Sequence, residues 1–117
     1  MLYSDDLYQL FSKELEGSSI ATVWSAMRAD NFDKEEISYD EKKNYFLELL
    51  QRLMDDGKIK LASHGVFLTG NVDEQIKKFR DALPSCEEGL YHDLWFTLEE
   101  CPGGIVWIHD SGYEDWT

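Results

Sequence analysis

The segment from Ser38 to Gly57 constrains the fold more than any other, because it predicts one long amphipathic helix. Ser38 and Glu41 match a capping box, in which the serine and the glutamate satisfy each other's free backbone N–H groups. Apolar side chains then recur at intervals of three and four residues until Gly57, which favours a helix end. They are Tyr45, Phe46, Leu49, Leu50, Leu53 and Met54. Such a stripe has to be buried, so the rest of the chain must pack against it.

Three further helices are predicted by the same two signals, a polar cap and an apolar stripe. Ser4 precedes the first helix, and Ser18 or Ser19 precedes the second. Asn71 begins a later helix, which Pro84 closes. Their apolar positions are Leu7, Leu10, Phe11 and Leu15, then Ile20, Val23, Trp24 and Met27, then Val72, Ile76, Phe79 and Leu83.

Two β-hairpins are also predicted. Residues 58–61 alternate between charged and apolar, residues 63–65 can turn, and residues 66–68 can return. Near the end of the chain, residues 105–108 and 113–116 flank the turn sequence Asp110-Ser111-Gly112. Between the hairpins, Ser85 with Glu88 can cap a further helix carrying Leu90, Leu94, Trp95 and Leu98, although Gly89 and the aromatic content leave a strand open.

These elements predict an α+β, mainly α fold: a helical bundle with a winged-helix-like β-hairpin and a C-terminal β-hairpin. A chain of 117 residues is typical of a single compact domain, here residues 1–117. Apolar residues make up 43% of the sequence, too many for a disordered polyanion despite a formal net charge of −13.

Charge is unevenly distributed along the chain. The first 80 residues hold 15 acidic and 11 basic side chains, and no lysine or arginine follows Arg80. Nine acidic residues follow it: Asp81, Glu87, Glu88, Asp93, Glu99, Glu100, Asp110, Glu114 and Asp115. A surface of this sign attracts a basic protein and repels phosphate backbones and anionic membranes. The sequence therefore predicts a basic protein partner, with no direct nucleic-acid or membrane contact.

The start of the chain lacks the basic region and apolar core of a signal peptide, and no stretch approaches the roughly 18 apolar residues of a membrane span. Cys86 and Cys101 could pair, but without a signal peptide we expect reduced thiols. We therefore expect a cytoplasmic protein.

No catalytic residues, metal or cofactor are predicted. The sequence contains no P-loop, no G-x-S-x-G and no G-x-G-x-x-G motif. The separations among the histidines and cysteines match no paired spacing of structural zinc sites. A small hydrolase or transferase is a further alternative, and it would require a deep pocket that holds perturbed carboxylates, or His92 or His109.

Three helices followed by a hairpin is also the order of a winged helix. Residues 40–55 would then form the recognition helix and residues 58–68 the wing, with cations from Lys42, Lys43, Arg52, Lys58 and Lys60. The same helix carries acidic residues that would face or flank phosphates. A winged-helix-like adaptor or transcription-associated regulator is therefore the alternative function.

The candidate interface lies in the last residues of the chain. Tyr113 and Trp116 flank Glu114 and Asp115. Exposed rings can supply cation–π contacts while carboxylates accept bidentate arginines. Asp110 precedes them in the turn. A second candidate is the acidic loop with Asp33, Glu35 and Glu36.

The chain resembles a small bacterial family, the domain of unknown function 596. The resemblance lies in FLELLQRLMDDGKIKL (46–61), NVDEQIKKFRDAL (71–83), ECPGGIVW (100–107) and GYEDWT (112–117). The family has no established activity, so the resemblance supplies no catalytic residues. It implies a setting beside toxins, including contact-dependent inhibition toxins, as an immunity protein. We therefore expect an antitoxin-like inhibitor of a basic toxin domain such as a nuclease.

Overall fold

The computed structural model describes residues 2–117, and it has the helices that the polar caps predict. The α-helices are α1 (Asp5–Glu14), α2 (Ile20–Ser25), α3 (Tyr39–Asp55) and α4 (Val72–Ala82). Ser4, Ser19, Ser38 and Asn71 each accept a hydrogen bond from a backbone N–H of the first turn. A short 3-10 turn, Ala29–Phe32, lies between α2 and α3.

Helix α3 lies at the centre of the core. Its capping box forms in both directions, since the Ser38 side chain accepts from the Glu41 N–H and the Glu41 side chain accepts from the Ser38 N–H. The Phe46 ring lies against Trp24 and Phe79, with ring centroids 5.2 and 5.8 Å apart. Tilted and edge-to-face aromatic pairs of this kind add to the burial energy of the apolar stripe. The core around the α3 stripe therefore combines aromatic rings with aliphatic side chains.

The two predicted hairpins join into one antiparallel sheet of four strands. The strands are β1 (Ile59–Ser63), β2 (Val66–Phe67), β3 (Gly104–Ile108) and β4 (Glu114–Trp116), in the spatial order β2-β1-β3-β4. Strand β1 pairs with β3, so Ile59 lies opposite Trp107 and Leu61 opposite Ile105. The α+β, mainly α class is confirmed, whereas the β1–β3 pairing was not visible as a local sequence pattern.

The two faces of the sheet differ. Ile59, Leu61, Ile105 and Trp107 share one face and are almost fully buried, so this face, here called the inner face, closes the helical core. Directly paired residues of adjacent strands point to the same side. Lys60, Val106 and Trp116 therefore share the opposite, outer face.

The predicted helix or strand at residues 85–98 is wrong. The structure has two 3-10 turns there, Glu87–Leu90 and Leu94–Thr97, and Ser85 caps neither of them. Tyr91, His92 and Asp93 between the turns all have left-handed φ angles of 49°, 55° and 71°. A right-handed helix cannot continue through such residues. Leu90 and Trp95 are nevertheless buried, because two separate turns direct them into the core.

Candidate protein-interaction surface

The C-terminal hairpin ends in a tight turn that presents two of the predicted interface residues. The Gly112 N–H donates to the His109 carbonyl at 2.8 Å, and the His109 N–H donates to the Tyr113 carbonyl at 2.9 Å. Gly112 adopts a φ of 88°, which glycine accepts without steric cost. Asp110 is exposed in this turn, and Tyr113 is 64% exposed at its end. The tip therefore places a carboxylate and an aromatic ring together in solvent.

His109 connects this hairpin to the turn that follows helix α1. Its Nδ1 atom lies 3.1 Å from Glu16 Oε1, and its Nε2 atom lies 3.2 Å from Asp115 Oδ2. The His109 ring therefore lies between two carboxylates. The Tyr113 ring lies 5.6 Å from the His109 ring. Asp115, predicted as an interface residue, is thus half-buried and also holds the hairpin in place.

Trp116 and Glu114 lie on the outer face of the sheet. The Trp116 ring stacks on Phe67 of β2, with centroids 5.1 Å apart, and the two rings lie across the intervening strands. Val106, between them, is therefore buried although it points away from the helices. Trp116 itself remains 46% exposed. The outer face thus carries an aromatic stack that solvent still reaches, with the exposed Glu114 carboxylate beside it.

The predicted acidic loop is a separate surface. Asp33, Glu35 and Glu36 are exposed, and within residues 2–117 no hydrogen bond or ion pair joins them to residues 110–116. The neighbouring Lys34 is engaged, because its Nζ atom lies 2.8 Å from Glu41. This ion pair, followed by the Ser38 N–H, lowers the pKa of the Glu41 carboxyl. The structure therefore brings the five tail residues onto one hairpin and leaves the loop apart.

The cations of the proposed recognition helix and wing make contacts within the protein. Lys42 lies 4.7 Å from the centre of the Trp24 ring, and Lys60 lies 4.8 Å from the Phe67 ring. Lys58 donates to Ser12 Oγ at 2.8 Å. A lysine has to give up such a contact before it binds a nucleic-acid phosphate, so the net free energy gained on binding is smaller.

Neither cysteine takes part in a disulfide. Cys86 is exposed, whereas Cys101 is buried and its thiol donates to the Gly103 carbonyl. Burial raises the pKa of the Cys101 thiol to about 11, which keeps it protonated at neutral pH. Among residues 2–117, no three histidine, cysteine, aspartate or glutamate side chains are grouped so as to hold a metal ion. No helix in the same range is both long and apolar enough to cross a bilayer.

Comparison with known proteins then identifies the family. The family model described as "Protein of unknown function, DUF596" matches residues 54–117, more than half of the chain and all of the C-terminal hairpin. The chain belongs to this family. The resemblance seen in the sequence is therefore confirmed.

The fold of this DUF596 protein also occurs in a solved structure. An uncharacterized protein conserved in bacteria, from Neisseria meningitidis, superposes with a TM-score of 0.75 over 96% of this chain and 84% of that chain. The two sequences are 23% identical, so the likeness establishes the fold. The curated proteins include no match to this chain.

Three residues of the DUF596 hairpin surface were not predicted from the sequence: Glu16, Phe67 and His109. Glu16 lies 93 positions before His109, and Phe67 and Trp116 belong to strands at opposite edges of the sheet. The β1–β3 pairing brings Phe67 and Trp116 together, and the packing of β3 against the turn after α1 brings Glu16 to His109. No local sequence pattern reports such long-range contacts.

Proposed function

We propose that this DUF596 protein is a cytoplasmic, non-enzymatic binding protein that acts as an immunity, or antitoxin-like, inhibitor of a basic toxin domain such as a contact-dependent inhibition nuclease. One observation carries the proposal: the C-terminal hairpin exposes Tyr113 and Trp116 beside carboxylates, in a part of the sequence without lysine or arginine. Asp110 and Glu114 form no ion pair with any part of residues 2–117. Their charge is therefore available to a cationic partner.

The chemistry of this surface suits a basic protein. Tyrosine and tryptophan supply large contact areas at low cost in side-chain entropy, and they are frequent among residues that dominate binding energy. Carboxylates on the same surface steer a cationic partner and accept hydrogen bonds from its arginines. An inhibitor of this kind would cover the basic cleft of a nuclease in place of the nucleic acid.

The alternative function, a winged-helix-like adaptor or transcription-associated regulator, has less support. Lys42, Lys58 and Lys60 make contacts with rings or a hydroxyl of the same chain, as described above. The hairpin at residues 59–67 also belongs to a four-stranded sheet instead of extending as a free wing. These contacts support a protein-binding role over direct contact with DNA.

The proposal is tested with the toxin domain encoded next to this protein in the source genome. Purified chain is titrated with the catalytically inactivated toxin domain by calorimetry at low and at high salt, and toxin activity is assayed with and without the chain. We expect binding that weakens about tenfold or more from 50 to 500 mM salt, because exposed charges are screened. Loss of toxin activity on binding is the second expected result.

Two charge reversals locate the interface. Glu114→Lys and Asp55→Lys change the net charge equally, and both carboxylates are exposed, but Asp55 lies at the C-terminal end of α3. We expect Glu114→Lys to weaken binding at least tenfold and Asp55→Lys to change it less than about threefold. Equal losses would mean that net charge alone attracts the partner. No binding of any adjacent toxin domain by the unmodified chain would reject the proposed function.

A further inference from the structure

Strand β4 forms one edge of the sheet, and part of its backbone faces away from every other strand. In an antiparallel pair, residues that exchange hydrogen bonds alternate with residues that do not. His109 and Tyr113 form a hydrogen-bonded pair, because the His109 N–H donates to the Tyr113 carbonyl. By alternation, Glu114 opposite Ile108 and Trp116 opposite Val106 are in pairs without hydrogen bonds between the two strands. Their N–H and C=O groups therefore point away from β3, and β4 is the last strand in the order. Within residues 2–117, these two N–H and two C=O groups have no hydrogen-bond partner.

The side chains of β4 place negative charge on both faces of the same edge. Glu114 pairs with Ile108 and lies on the outer face, whereas Asp115 pairs with Trp107 and lies toward the inner face. Trp116 is half exposed at the end of the strand and lies on the same face as Glu114. A strand added here would meet a carboxylate on each of its own faces and an aromatic ring at one end.

We propose that an extended segment of the basic partner pairs with the β4 edge as a fifth strand and carries lysine or arginine on both of its faces, opposite Glu114 and Asp115. The inference rests on the proposed function, since it names the way in which that partner binds. Backbone hydrogen bonds to Glu114 and Trp116 supply the pairing, and alternate side chains supply specificity.

Charge decides between this occupant and a second copy of the chain. Two β4 strands paired edge to edge would bring Glu114 and Asp115 of one copy near those of the other, on chains that each carry a net charge of −13. Like charges placed opposite one another on paired strands are destabilising. Charged residues on edge strands also prevent self-association in general. The same carboxylates attract a cationic strand, so charge disfavours pairing between two copies and favours pairing with a basic partner.

The edge is tested first with a defined probe. A blocked peptide of about six residues, a typical strand length, is titrated into the full chain; it carries two adjacent lysines among threonines, so that one lysine lies on each face of the strand. The same peptide with glutamate in place of lysine is its matched control. We expect the amide protons of Glu114 and Trp116 to exchange at least tenfold more slowly with the lysine peptide and at an unchanged rate with the glutamate peptide. Unchanged exchange of both amides at saturating lysine peptide would overturn the proposal.

A pair of variants separates backbone pairing from charge. Glu114→Ala removes the carboxylate and keeps the N–H, whereas Glu114→Pro removes both. Proline is tolerated on an edge strand where the N–H faces solvent, and a melting curve checks that the variant folds. We expect Glu114→Pro to bind the toxin domain about tenfold more weakly than Glu114→Ala, since a hydrogen-bond donor is lost and the ring blocks the edge.

The outcomes distinguish the two proposals. If the toxin domain binds Glu114→Pro and Glu114→Ala equally, the edge is not used, while the proposed function stands. If no toxin domain binds but the lysine peptide still protects both amides, the proposed function fails and the edge remains a site for cationic strands. Dimerisation of the free chain in sedimentation at micromolar concentration would assign the edge to a second copy and overturn the inference.

Discussion

Trp107 and Trp116 lie on opposite faces of the sheet and differ in exposure. On the inner face, Trp107 is 1% exposed, and its indole N–H donates to the Ser18 carbonyl at 2.8 Å. On the outer face of the neighbouring strand β4, Trp116 keeps nearly half of its surface in solvent. The two residues belong to the same hairpin. Their difference follows from the faces they occupy, because helices cover the inner face and only the Phe67 ring stacks on Trp116. The same residue type therefore builds the core on one face and stays available on the other.

Charged side chains also differ between the helical side and the C-terminal hairpin. Beside the helices, Arg52 contacts Asp5 and lies 4.2 Å from the Tyr8 ring, so the cation is satisfied within the protein. In the hairpin, Asp110 and Glu114 are exposed and form no ion pair within residues 2–117. Charges on the helical side thus stabilise the fold, whereas two carboxylates on the β4 side remain in solvent.

The largest expected effect separates core from edge by stability. Phe46→Ala should lower the free energy of unfolding by about 3–5 kcal/mol, because it opens a cavity among Trp24, Phe79 and Phe96. Trp116→Ala should cost only about 1 kcal/mol, since the ring is half exposed and loses one stacking contact. Urea denaturation measures both variants. Similar losses for the two would break the comparison.

Alkaline pH is expected to act on the helical side. Burial raises the pKa of Tyr39 to about 12 and that of Cys101 to about 11, and burial followed by the Asp56 hydrogen bond raises that of Tyr8. A group whose pKa is raised in the folded state makes its full contribution to folding stability at a pH below its pKa in the unfolded chain. That contribution is lost as the pH rises through the pKa of the folded state. Thermal stability should therefore be constant to about pH 9 and fall between pH 9 and 12.

Tyr39→Phe provides the control for this alkaline loss. The variant gives up the hydrogen bond from the Tyr39 hydroxyl to the Pro84 carbonyl, so it should be less stable at neutral pH. It should also lose less stability than the unmodified chain between pH 10 and 12, because one titrating group is gone. Identical pH profiles for the two proteins, measured by circular dichroism melting, would remove Tyr39 from the explanation.

The smallest expected effect concerns the contact between the hairpin and the turn after α1. His109→Gln removes the contacts of the imidazole with Glu16 and Asp115, which are partly exposed and therefore contribute about 1 kcal/mol or less to stability. Amide hydrogen exchange should nevertheless speed up at residues 110–115, with no change in α3. A uniform increase over the whole chain would show that His109 supports the core instead of orienting the hairpin.

The sequence predicted the helices because their signals are local. Capping boxes at Ser38 and Asn71 and stripes such as Phe46 to Leu53 report the structure of adjacent residues, and the structure confirms them. The prediction for residues 85–98 was wrong for the opposite reason, because long-range contacts decide the structure there. Helical spacing of Leu90, Leu94 and Trp95 was present, but three consecutive left-handed residues break the helix, and tertiary burial of the apolar side chains fixes that backbone.

The candidate surface was predicted only in part. The two rings that flank two carboxylates at residues 113–116 predicted an exposed Tyr113, and the sequence after Arg80 located the excess of carboxylates. The stacking of Trp116 on Phe67 depends on the β1–β3 pairing, whereas the contact of His109 with Glu16 depends on the packing of β3 against the turn after α1. The β1–β3 pairing also leaves β4 at the edge of the sheet. Long-range contacts were thus the missing information for the fold and for the site.

The most direct test maps where a cationic partner contacts the chain. Amide resonances of the isotope-labelled protein are recorded with and without the inactivated toxin domain, and the shifted residues are placed on the structure. We expect shifts and slower exchange to concentrate in residues 109–117 and at Glu16, while α3 and the loop with Asp33, Glu35 and Glu36 stay unchanged. Shifts centred on α3 or on that loop, with residues 114–116 unaffected, would contradict binding through the C-terminal hairpin.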